Sequence, residues 1–457
     1  MAWRKVTIST FLSERKGRYK PDEAMRMKLK RIDKIDFSNN IHLSETTETK
    51  TDMILVKQGD LVISGINAEK GAIAIYRGEE DIMATIHYSS YTYNEDEIDI
   101  EYLKWFLKSE TFLNVLKEQT KGGIKTELKA KRLLPLEIYL PDKPTQKQIL
   151  KKLNNIEQEV LELEENIDDT AELLKKLRQS ILQDAVKGML VTQNPKDEPA
   201  SELLKRIKAE KEKLIKQGKI KKDKPLPPIT ESEIPYELPK GWAWCRLGEI
   251  AHLITKGSSP KWQGVRYLES PGILFITSEN VGTNSILLDT PKYVEEKFNE
   301  IEPRSILMKG DILTNIVGAS IGRTAIWNTD EVANINQAVC IIRFPKTSLN
   351  KTYLVNLLNS DFGIGLMMEN QFDTGRGNLS MGEIAKFTVP IPPLAEQSRI
   401  VEKVNELMAL CASLEKEIAH SKKEADYLLN AILRETFQQK PKEYSQKGIR
   451  VSMAAER

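Results

Sequence analysis

The sequence has few cysteines and histidines, and neither residue type is spaced like a metal site. Its 457 residues include three cysteines (Cys245, Cys340 and Cys411) and four histidines. Zinc sites need several such ligands at short, regular spacings, and disulfide frameworks need a clustered, even set of cysteines. The spacing therefore argues against a zinc site of this kind and against a disulfide-stapled fold, and it predicts free thiols in a reducing cytoplasm.

Long hydrophobic runs and an excess of charge of one sign are also missing. The opening residues, MAWRKVTISTFLSERK, carry charges where a signal peptide needs an apolar core, and no window resembles a membrane helix. Lysine and arginine number 68 against 66 for aspartate and glutamate. Any nucleic-acid binding must therefore come from local basic surface. We expect a cytoplasmic protein of roughly two to four folded units.

Sequence motifs of catalysis are missing as well. The chain has no GxxxxGK[ST] motif, no GxGxxG opening a helix and no Asn-Pro-Pro-aromatic segment of the amino-methyltransferase type. The pairs Pro21-Asp22 and Pro141-Asp142 lie in a charged loop and at a helix entrance, so neither predicts a nuclease site. The sequence predicts no catalytic residue, no metal and no cofactor in this chain.

The sequence does contain an internal repeat with an offset of 251 residues. The stretch GDLVISGINAEKGAIAIY begins at residue 59, and GDILTNIVGASIGRTAIW begins at residue 310. The same offset relates Gln146 to Gln397. The Gly-Asp pairs that open both stretches read as turns before a strand, with a structural role. The repeat predicts two copies of one domain.

Each copy continues into a long helix with a heptad pattern. Apolar residues recur at alternating spacings of four and three, which is typical of a coiled-coil seam, and the positions between them are charged. We therefore expect the two helices to pair with each other. The first seam comprises Ile149, Leu153, Ile156, Val160, Leu163, Ile167, Leu174, Leu177 and Ile181, and the second comprises Ile400, Val404, Leu407, Cys411, Leu414, Ile418, Ala425, Leu428 and Ile432.

The predicted fold class is α+β, with two mixed domains separated by two long antiparallel coiled-coil helices in a pseudo-two-fold repeat. Each domain combines short β-rich runs with one helical stretch, over residues 98–119 and 351–369. Between the halves lies a linker with ten Lys/Arg and three acidic residues from Lys205 to Lys224, followed by prolines. It predicts a short basic helix and an extended connector. The expected segments are a domain (1–145), a helix (146–190), the linker (191–237), a domain (238–396), a helix (397–440) and a tail (441–457).

Antiparallel pairing of the helices would place the two domains at opposite ends of a rod. Dimeric DNA readers place two modules on half-sites in this pseudo-symmetric way. Because the two domains differ at most positions outside the repeat framework, their half-sites should differ too. The organisation predicts a bipartite, asymmetric DNA target.

The order of these segments resembles the specificity subunit of type I restriction-modification systems over essentially the whole chain. The local sequence motifs resemble those of the family as well: LPKGWAWCRLGEI, ITKGSSP, KGDIL, GASIGRTAI, NINQAV, GRGNLS and IPPLAEQSRIVEKV. The resemblance implies two target recognition domains on double-stranded DNA. It also implies two methyltransferase subunits that use S-adenosylmethionine and two restriction subunits that use ATP and Mg.

Residues in Gly-containing and polar loops are the predicted DNA contacts. Basic side chains there could bind phosphate or guanine, and amides could bind adenine. The candidates are Lys70, His87 and Lys125 in the first domain, and Lys256, Ser258, Lys261, Arg323, Asn336, Gln337, Arg376 and Asn378 in the second.

Simpler interpretations of these residues stay open. The charges could belong to ordinary solvated loops, Gln337 could hold a turn by hydrogen bonds, and His87 could be structural. A non-catalytic coiled-coil scaffold with two protein-binding domains is the alternative function, but it does not explain the repeated basic loops. A self-sufficient restriction-methylation enzyme would need the absent cofactor motifs.

Overall fold

The computed structural model describes residues 3–36, 39–46, 48–68, 71–119, 127–222, 224–269, 271–345, 349–370 and 377–437. The chain divides into two compact units, Met1–Asp169 with Ile418–Arg457, and Thr170–Glu417. Among the described residues, no helix has the length and apolar content to cross a membrane.

The first unit is built on a central antiparallel sheet with the strand order β2-β10-β7-β8. Its strands are β1 (Arg4–Thr7), β2 (Leu12–Glu14), β3 (Arg18–Tyr19), β4 (Ile32–Ile35), β5 (Ile41–Leu43), β6 (Met53–Val56), β7 (Leu61–Ser64), β8 (Ile73–Ile75), β9 (Ile82–Thr85), β10 (Tyr88–Tyr93) and β11 (Glu137–Leu140). Its helices are α1 (Pro21–Met27), α2 (Ile100–Lys108), α3 (Glu110–Gln119), α4 (Ala130–Leu133) and the long α5 (Lys143–Lys187), which continues into the second unit.

The second unit repeats this central sheet as β13-β20-β17-β18. Its strands are β12 (Ala243–Arg246), β13 (Leu253–Lys256), β14 (Tyr267–Leu268), β15 (Ile273–Ile276), β16 (Tyr293–Val294), β17 (Asp311–Asn315), β18 (Thr324–Trp327), β19 (Ala333–Ile335), β20 (Val339–Arg343) and β21 (Thr388–Ile391). Its helices are α6 (Ala200–Lys216), α7 (Leu247–Ile250), α8 (Lys297–Ile301), α9 (Lys351–Asn359), α10 (Asp361–Glu369), α11 (Met381–Lys386) and the long α12 (Leu394–Phe437), which continues into the first unit.

The sequence repeat is a repeat of structure. Shifted by 251 residues, α2 falls on α9 and β11 falls on β21 with identical bounds. The strand register also repeats, because the pair Leu61 and Ile75 corresponds to the pair Ile312 and Ile326. The predicted α+β class with an internal repeat is confirmed.

The single helical stretch predicted in each domain is wrong, because each stretch is two helices. The break falls at Ser109 between α2 and α3, and at the equivalent Ser360 between α9 and α10. Both serines have extended backbone angles, and each hydroxyl donates to a carbonyl three residues earlier at 2.6 Å. Serine competes with the helix for such backbone hydrogen bonds, so it can end one helix and start the next.

A buried glutamine connects each domain to its long helix in the same way. The Gln146 side chain accepts a hydrogen bond from Asp99 N at 2.7 Å and donates to Pro141 O at 2.9 Å. The Gln397 side chain accepts from Asn350 N at 2.8 Å and donates to Pro392 O at 2.9 Å. Asp99 and Asn350 are themselves the N-caps of α2 and α9, so the glutamine couples two helix starts.

The two long helices run antiparallel in each unit. In the first unit Lys422 pairs with Asp168 at 2.9 Å, and Leu433, further along α12, shares a core with the earlier Leu153. In the second unit Arg178 pairs with Glu415 at 2.9 Å, whereas Glu396, near the start of α12, accepts from Gln193, just beyond the end of α5. The antiparallel prediction is confirmed.

The predicted seam residues are covered to different extents. The seam residues alternate between two positions of the heptad. Residues at one of these positions make most of the contact between the helices, and four leucines at the other position are 42 to 49% exposed. The buried seam residues are Leu153, Val160, Ile167, Leu174, Ile181, Ile400, Val404, Cys411 and Ala425. The half-buried ones are Ile149, Ile156, Leu407, Ile418 and Ile432, and the exposed ones are Leu163, Leu177, Leu414 and Leu428.

The basic linker does form a helix, α6, and this helix packs against the second domain. Leu203 and Ile207 are 1% exposed. Lys211 Nζ donates to Gly248 O at 2.7 Å and to Ala251 O at 2.9 Å. The charged run is therefore solvated on one side of the helix only.

Candidate nucleic-acid interface

Four loops of the second domain meet at one end of its central sheet. Since β17 and β20 are antiparallel, the end of β17 lies beside the start of β20, and the end of β13 and the start of β18 lie at the same edge. The segment after β17 bonds to two of the other loops: Ile316 N donates to Ala338 O at 2.9 Å, and Leu379 N donates to Ile316 O at 3.0 Å. We call this edge, with its loops 256–263, 316–323, 336–338 and 377–379, the loop edge.

The loop edge brings together all the predicted contact residues of the second domain that the structure describes. Lys256 is the last residue of β13, and Ser258 and Lys261 follow that strand. Arg323 precedes β18, Asn336 and Gln337 precede β20, and Asn378 forms a bridge with Val317. Lys70, Lys125 and Arg376 lie outside the described residues. Sequence positions up to 122 residues apart, from Lys256 to Asn378, thus share one surface.

Glycine allows two of these loops to touch. A Cβ atom on Gly257 would lie 1.8 Å from Ile335 O and 2.8 Å from Asn336 O. No other residue fits at that distance, so the glycine in ITKGSSP sets how closely the basic loop approaches the Asn-Gln turn.

The cations of the loop edge are exposed and unpaired. Within the described part of the chain, Lys256, Lys261 and Arg323 have no carboxylate within ion-pair distance. Other cations among the described residues of this domain are paired, such as Lys292 with Glu279 at 2.6 Å and Lys309 with Asp330 at 2.8 Å, and some, such as Lys297 and Arg304, are not. The loop edge differs in placing its cations on one surface with polar amides. Three unneutralised positive charges around polar amides form a surface that attracts phosphate.

The two amides of the Asn-Gln turn have different environments. Asn336 Oδ1 accepts a hydrogen bond from Ala338 N at 3.0 Å, so this side chain holds the turn. Gln337 is half-buried, and among the described residues its side chain has no hydrogen-bond partner. Of the two, Gln337 therefore retains its full capacity to bind a base edge.

Ser258 is also engaged within its own loop. Its Oγ accepts a hydrogen bond from Gln263 Nε2 at 2.9 Å, and the same Gln263 nitrogen lies 2.9 Å from Glu302 Oε1. These bonds anchor the basic loop to the domain, so Ser258 orders the loop that presents the lysines.

Trp262 is a loop-edge residue that the sequence reasoning did not select. It follows Lys261 in the anchored loop and is 74% exposed. A large aromatic ring left in water next to Lys261 is unusual for a plain surface turn. The signal was present in the sequence as an aromatic next to lysine in the Gly-Ser-Ser-Pro loop.

His87 occupies the equivalent turn of the first domain, between β9 and β10. Its Nδ1 lies 3.3 Å from Glu127 Oε1, and Lys129 Nζ lies 2.9 Å from the same oxygen. Partial burial opposes ionisation of Glu127, but the bonds from Lys129 and His87 outweigh it and hold the Glu127 pKa below its ordinary value. His87 therefore lies in a cluster in which the Glu127 carboxylate balances positive charge, unlike the unpaired cations of the second domain.

The repeated Gly-Asp pairs have a structural role in both domains. Asp60 is 2% exposed and forms an ion pair with Arg15. Asp311 is 1% exposed and accepts two hydrogen bonds from the Arg343 guanidinium, at 2.6 and 2.7 Å. Each carboxylate also accepts a backbone N–H from three residues earlier, at 2.9 and 2.8 Å. The aspartates hold turns together and are not available to a ligand.

A known protein family matches most of the chain. A family model described as "Type I restriction modification DNA specificity domain" matches residues 5–173 and 239–421. The EcoAI specificity subunit of Escherichia coli is 36% identical over 267 residues, covering 56% of this chain and 43% of that protein. The EcoEI specificity subunit of Escherichia coli is 32% identical over 273 residues, covering 56% and 44%. The matched region therefore spans less than half of each of these relatives.

Two solved structures share the fold. One, from work on complex assembly and conformational transition of a type I R-M system, has a TM-score of 0.57 at 18% identity and covers 95% of this chain and 97% of that one. The other is the HsdS subunit from Thermoanaerobacter tengcongensis, with a TM-score of 0.52 at 18% identity and 95% and 96% coverage. At this identity they support the arrangement of elements. The roles of individual residues rest on the geometry of this chain alone.

Proposed function

The chain belongs to the family of type I restriction-modification DNA specificity domains, and we propose that it is the subunit that selects the DNA target. Each of its two domains would read one half of a bipartite, asymmetric site on double-stranded DNA. The observation that carries this proposal is the loop edge, where Lys256, Lys261 and Arg323 stand unpaired among the described residues around the free amide of Gln337.

In this mechanism the cations set position and the polar side chains read sequence. Lys256, Lys261 and Arg323 would bind phosphates, which fixes the register of the domain on the duplex. Gln337 would bind the N6 and N7 edge of adenine, and Asn378 and Trp262 would contact neighbouring bases or sugars. The proposal gives the chain a binding role only, with methylation and cleavage carried out by partner subunits.

The exposed leucines of the long helices are the proposed binding surface for methyltransferase subunits. Asp168 faces Lys422 across the antiparallel helices of the first unit, so Leu163 on one helix lies roughly opposite Leu428 on the other. Arg178 and Glu415 place Leu177 about level with Leu414 in the second. The offset of 251 residues exchanges the two pairs, so they form two equivalent surfaces. Two equivalent surfaces fit two copies of one partner.

The partners would supply the chemistry that we do not assign to this chain. The methyltransferase subunits would use S-adenosylmethionine to methylate adenines flipped out of the duplex, and two restriction subunits would use ATP and Mg. A cytoplasmic location agrees with the three free cysteines, all of which are buried.

Charge reversal at the loop edge tests the proposal. A complex of the chain with its methyltransferase partner would be titrated with duplex DNA at several salt concentrations. We expect Lys256→Glu with Arg323→Glu to weaken binding at least roughly tenfold and to flatten the salt dependence. The control, Lys213→Glu with Lys240→Glu, makes the same charge change at exposed lysines outside the loop edge. Equal loss in both variants would contradict a specific interface.

A further inference from the structure

A groove with apolar walls and a basic rim lies between the linker helix and the second domain. Its volume is about 660 Å³. One side is the face of α6 from Ser201 to Ile215, and the other is formed by β12 and α7, with Lys222 and residues 224–226 at one edge. We call it the linker groove.

The walls of the linker groove are firmly positioned. At one end of α6, Ala200 N donates to Gly241 O at 2.8 Å, and further along Lys211 holds the carbonyls of Gly248 and Ala251. A Cβ atom on Gly248 would lie 3.0 Å from a Leu226 methyl group, so the connector packs directly onto α7. The cavity therefore belongs to the packed structure of this unit.

Apolar side chains in the groove are only partly covered. Leu204, Ile215, Leu226 and Trp244 line the groove and are half-buried. Burying such surface further would be favourable by about 25 cal/mol for each Å² removed from water. The groove therefore favours a ligand with apolar groups.

The rim of the groove is positively charged. Lys208, Lys222 and Lys224 line it and are exposed, and they have no carboxylate partner among the described residues. Lys205 is paired with Glu202 at 2.8 Å. The acidic lining residues are Glu212 and Glu249, and Glu249 accepts Arg246 N at 3.0 Å, so five lysines stand against two carboxylates around the groove. A ligand that places carboxylates over the rim would gain three new ion pairs.

Apolar walls and a basic rim together select a peptide over a nucleic acid. A duplex could contact the lysines, but it would leave Leu204, Ile215 and Leu226 in water. The C-terminal residues 438–457 of this chain carry five Lys/Arg and two acids, so the rim would repel them. From Ser201 to Ile215 the helix is about 21 Å long, which matches roughly four turns of a second helix.

We propose that the linker groove is a docking site for an acidic amphipathic segment of a partner protein. The linker lies between the two copies of the sequence repeat and occurs once, so each chain provides one such site. This partner would bind at the second domain alone, in contrast to partners that use the repeated helix surfaces.

A designed peptide tests the site in the purified full-length chain. The probe is a fluorescein-labelled 16-residue helix, with leucines along one face and glutamates flanking them, followed by fluorescence anisotropy and calorimetry. We expect one peptide per chain and affinity that falls as salt rises. Lys208→Glu with Lys224→Glu should weaken binding at least tenfold, and Ile215→Ser should weaken it at least threefold.

Matched controls separate this site from general charge attraction. Lys213→Glu with Lys219→Glu makes the same charge change in the linker, at exposed lysines that do not line the groove, and should change affinity less than threefold. Equal loss in both lysine pairs, or undiminished binding of a peptide with Gln for Glu, would overturn the proposal. So would an absence of peptide binding, or displacement of the peptide by 20-base-pair duplex DNA at equal charge concentration, which would assign the lysines to phosphate.

Discussion

Trp262 is the residue that separates the proposed interface most clearly from an ordinary surface. We predict that Trp262→Ala weakens binding of the cognate duplex by about 1–2 kcal/mol, roughly tenfold, because it removes apolar contact with bases or sugars. Its 74% exposure means that folding should not suffer. Titration and thermal unfolding of the variant check both parts. Tyr267→Ala, at a residue 55% exposed in the same domain, should leave affinity unchanged.

Asn336 and Gln337 are adjacent amides with different predicted effects. Asn336→Ala removes the cap on Ala338 N and should lower stability by about 1 kcal/mol. Gln337→Ala removes no hydrogen bond within the described structure, so it should leave stability unchanged and relax the preference for one base pair. Thermal unfolding and binding to a randomised duplex library measure the two effects. A stability loss in Gln337→Ala with unchanged preference would give Gln337 the turn-holding role.

At the scale of an element, α12 offers a pair of substitutions three residues apart. Cys411 is 1% exposed and Leu414 is 42% exposed. Cys411→Asp would place a charge inside the helix pair and should destabilise the chain by several kcal/mol. Leu414→Asp should leave unfolding nearly unchanged but weaken the complex with the proposed methyltransferase partner. Size-exclusion chromatography with that partner checks the difference; normal assembly of Leu414→Asp would contradict the proposed surface.

The first turn of α12 also predicts a pH dependence. Burial raises the pKa of Glu396, although Trp242 Nε1 and Gln193 Nε2 donate to its carboxylate at 3.1 and 3.3 Å. A group with a raised folded pKa contributes stability below its unfolded pKa, near 4.5, and loses it as pH rises. Glu396→Gln keeps an acceptor without the charge. We expect this variant to unfold at a higher urea concentration than the unmodified chain at pH 7, with the difference shrinking towards pH 4.5.

Element boundaries show where sequence reasoning succeeded and failed. The heptad spacing predicted two long helices, because the seam pattern extends over many turns of each. The break at Ser109 and Ser360 was missed, because serine within an apolar helical pattern gives no strong stop signal. Each unit also has a further sheet, with the strand order β3-β6-β9 in the first and β14-β16-β15-β19 in the second, and neither was predicted. The two differ, because β15 pairs with β19 in parallel whereas β9 pairs with β6 antiparallel. Such pairings depend on contacts distant in sequence.

At the scale of the whole molecule, the repeat made the domain plan predictable. The offset of 251 residues aligns the framework of both domains by residue type alone. The first and last residues of α2 and α9 are related by the same offset. The loop edge was only partly predictable. The Gly-containing loops were visible as candidates, but their meeting depends on the strand order β13-β20-β17-β18. The sequence also does not reveal that the Asn336 side chain accepts a hydrogen bond within the turn while the Gln337 side chain has no partner among the described residues.

The most direct test of the central claim is genome-wide mapping of methylated adenines. Cells carrying the chain with its methyltransferase partner would be compared with cells that lack this chain alone, and with cells in which residues 1–145 are exchanged for another domain of the family. The account predicts an asymmetric two-part motif that disappears on deletion and changes in one half only on exchange. Unchanged methylation after deletion, or a change in both halves after exchange, would contradict it.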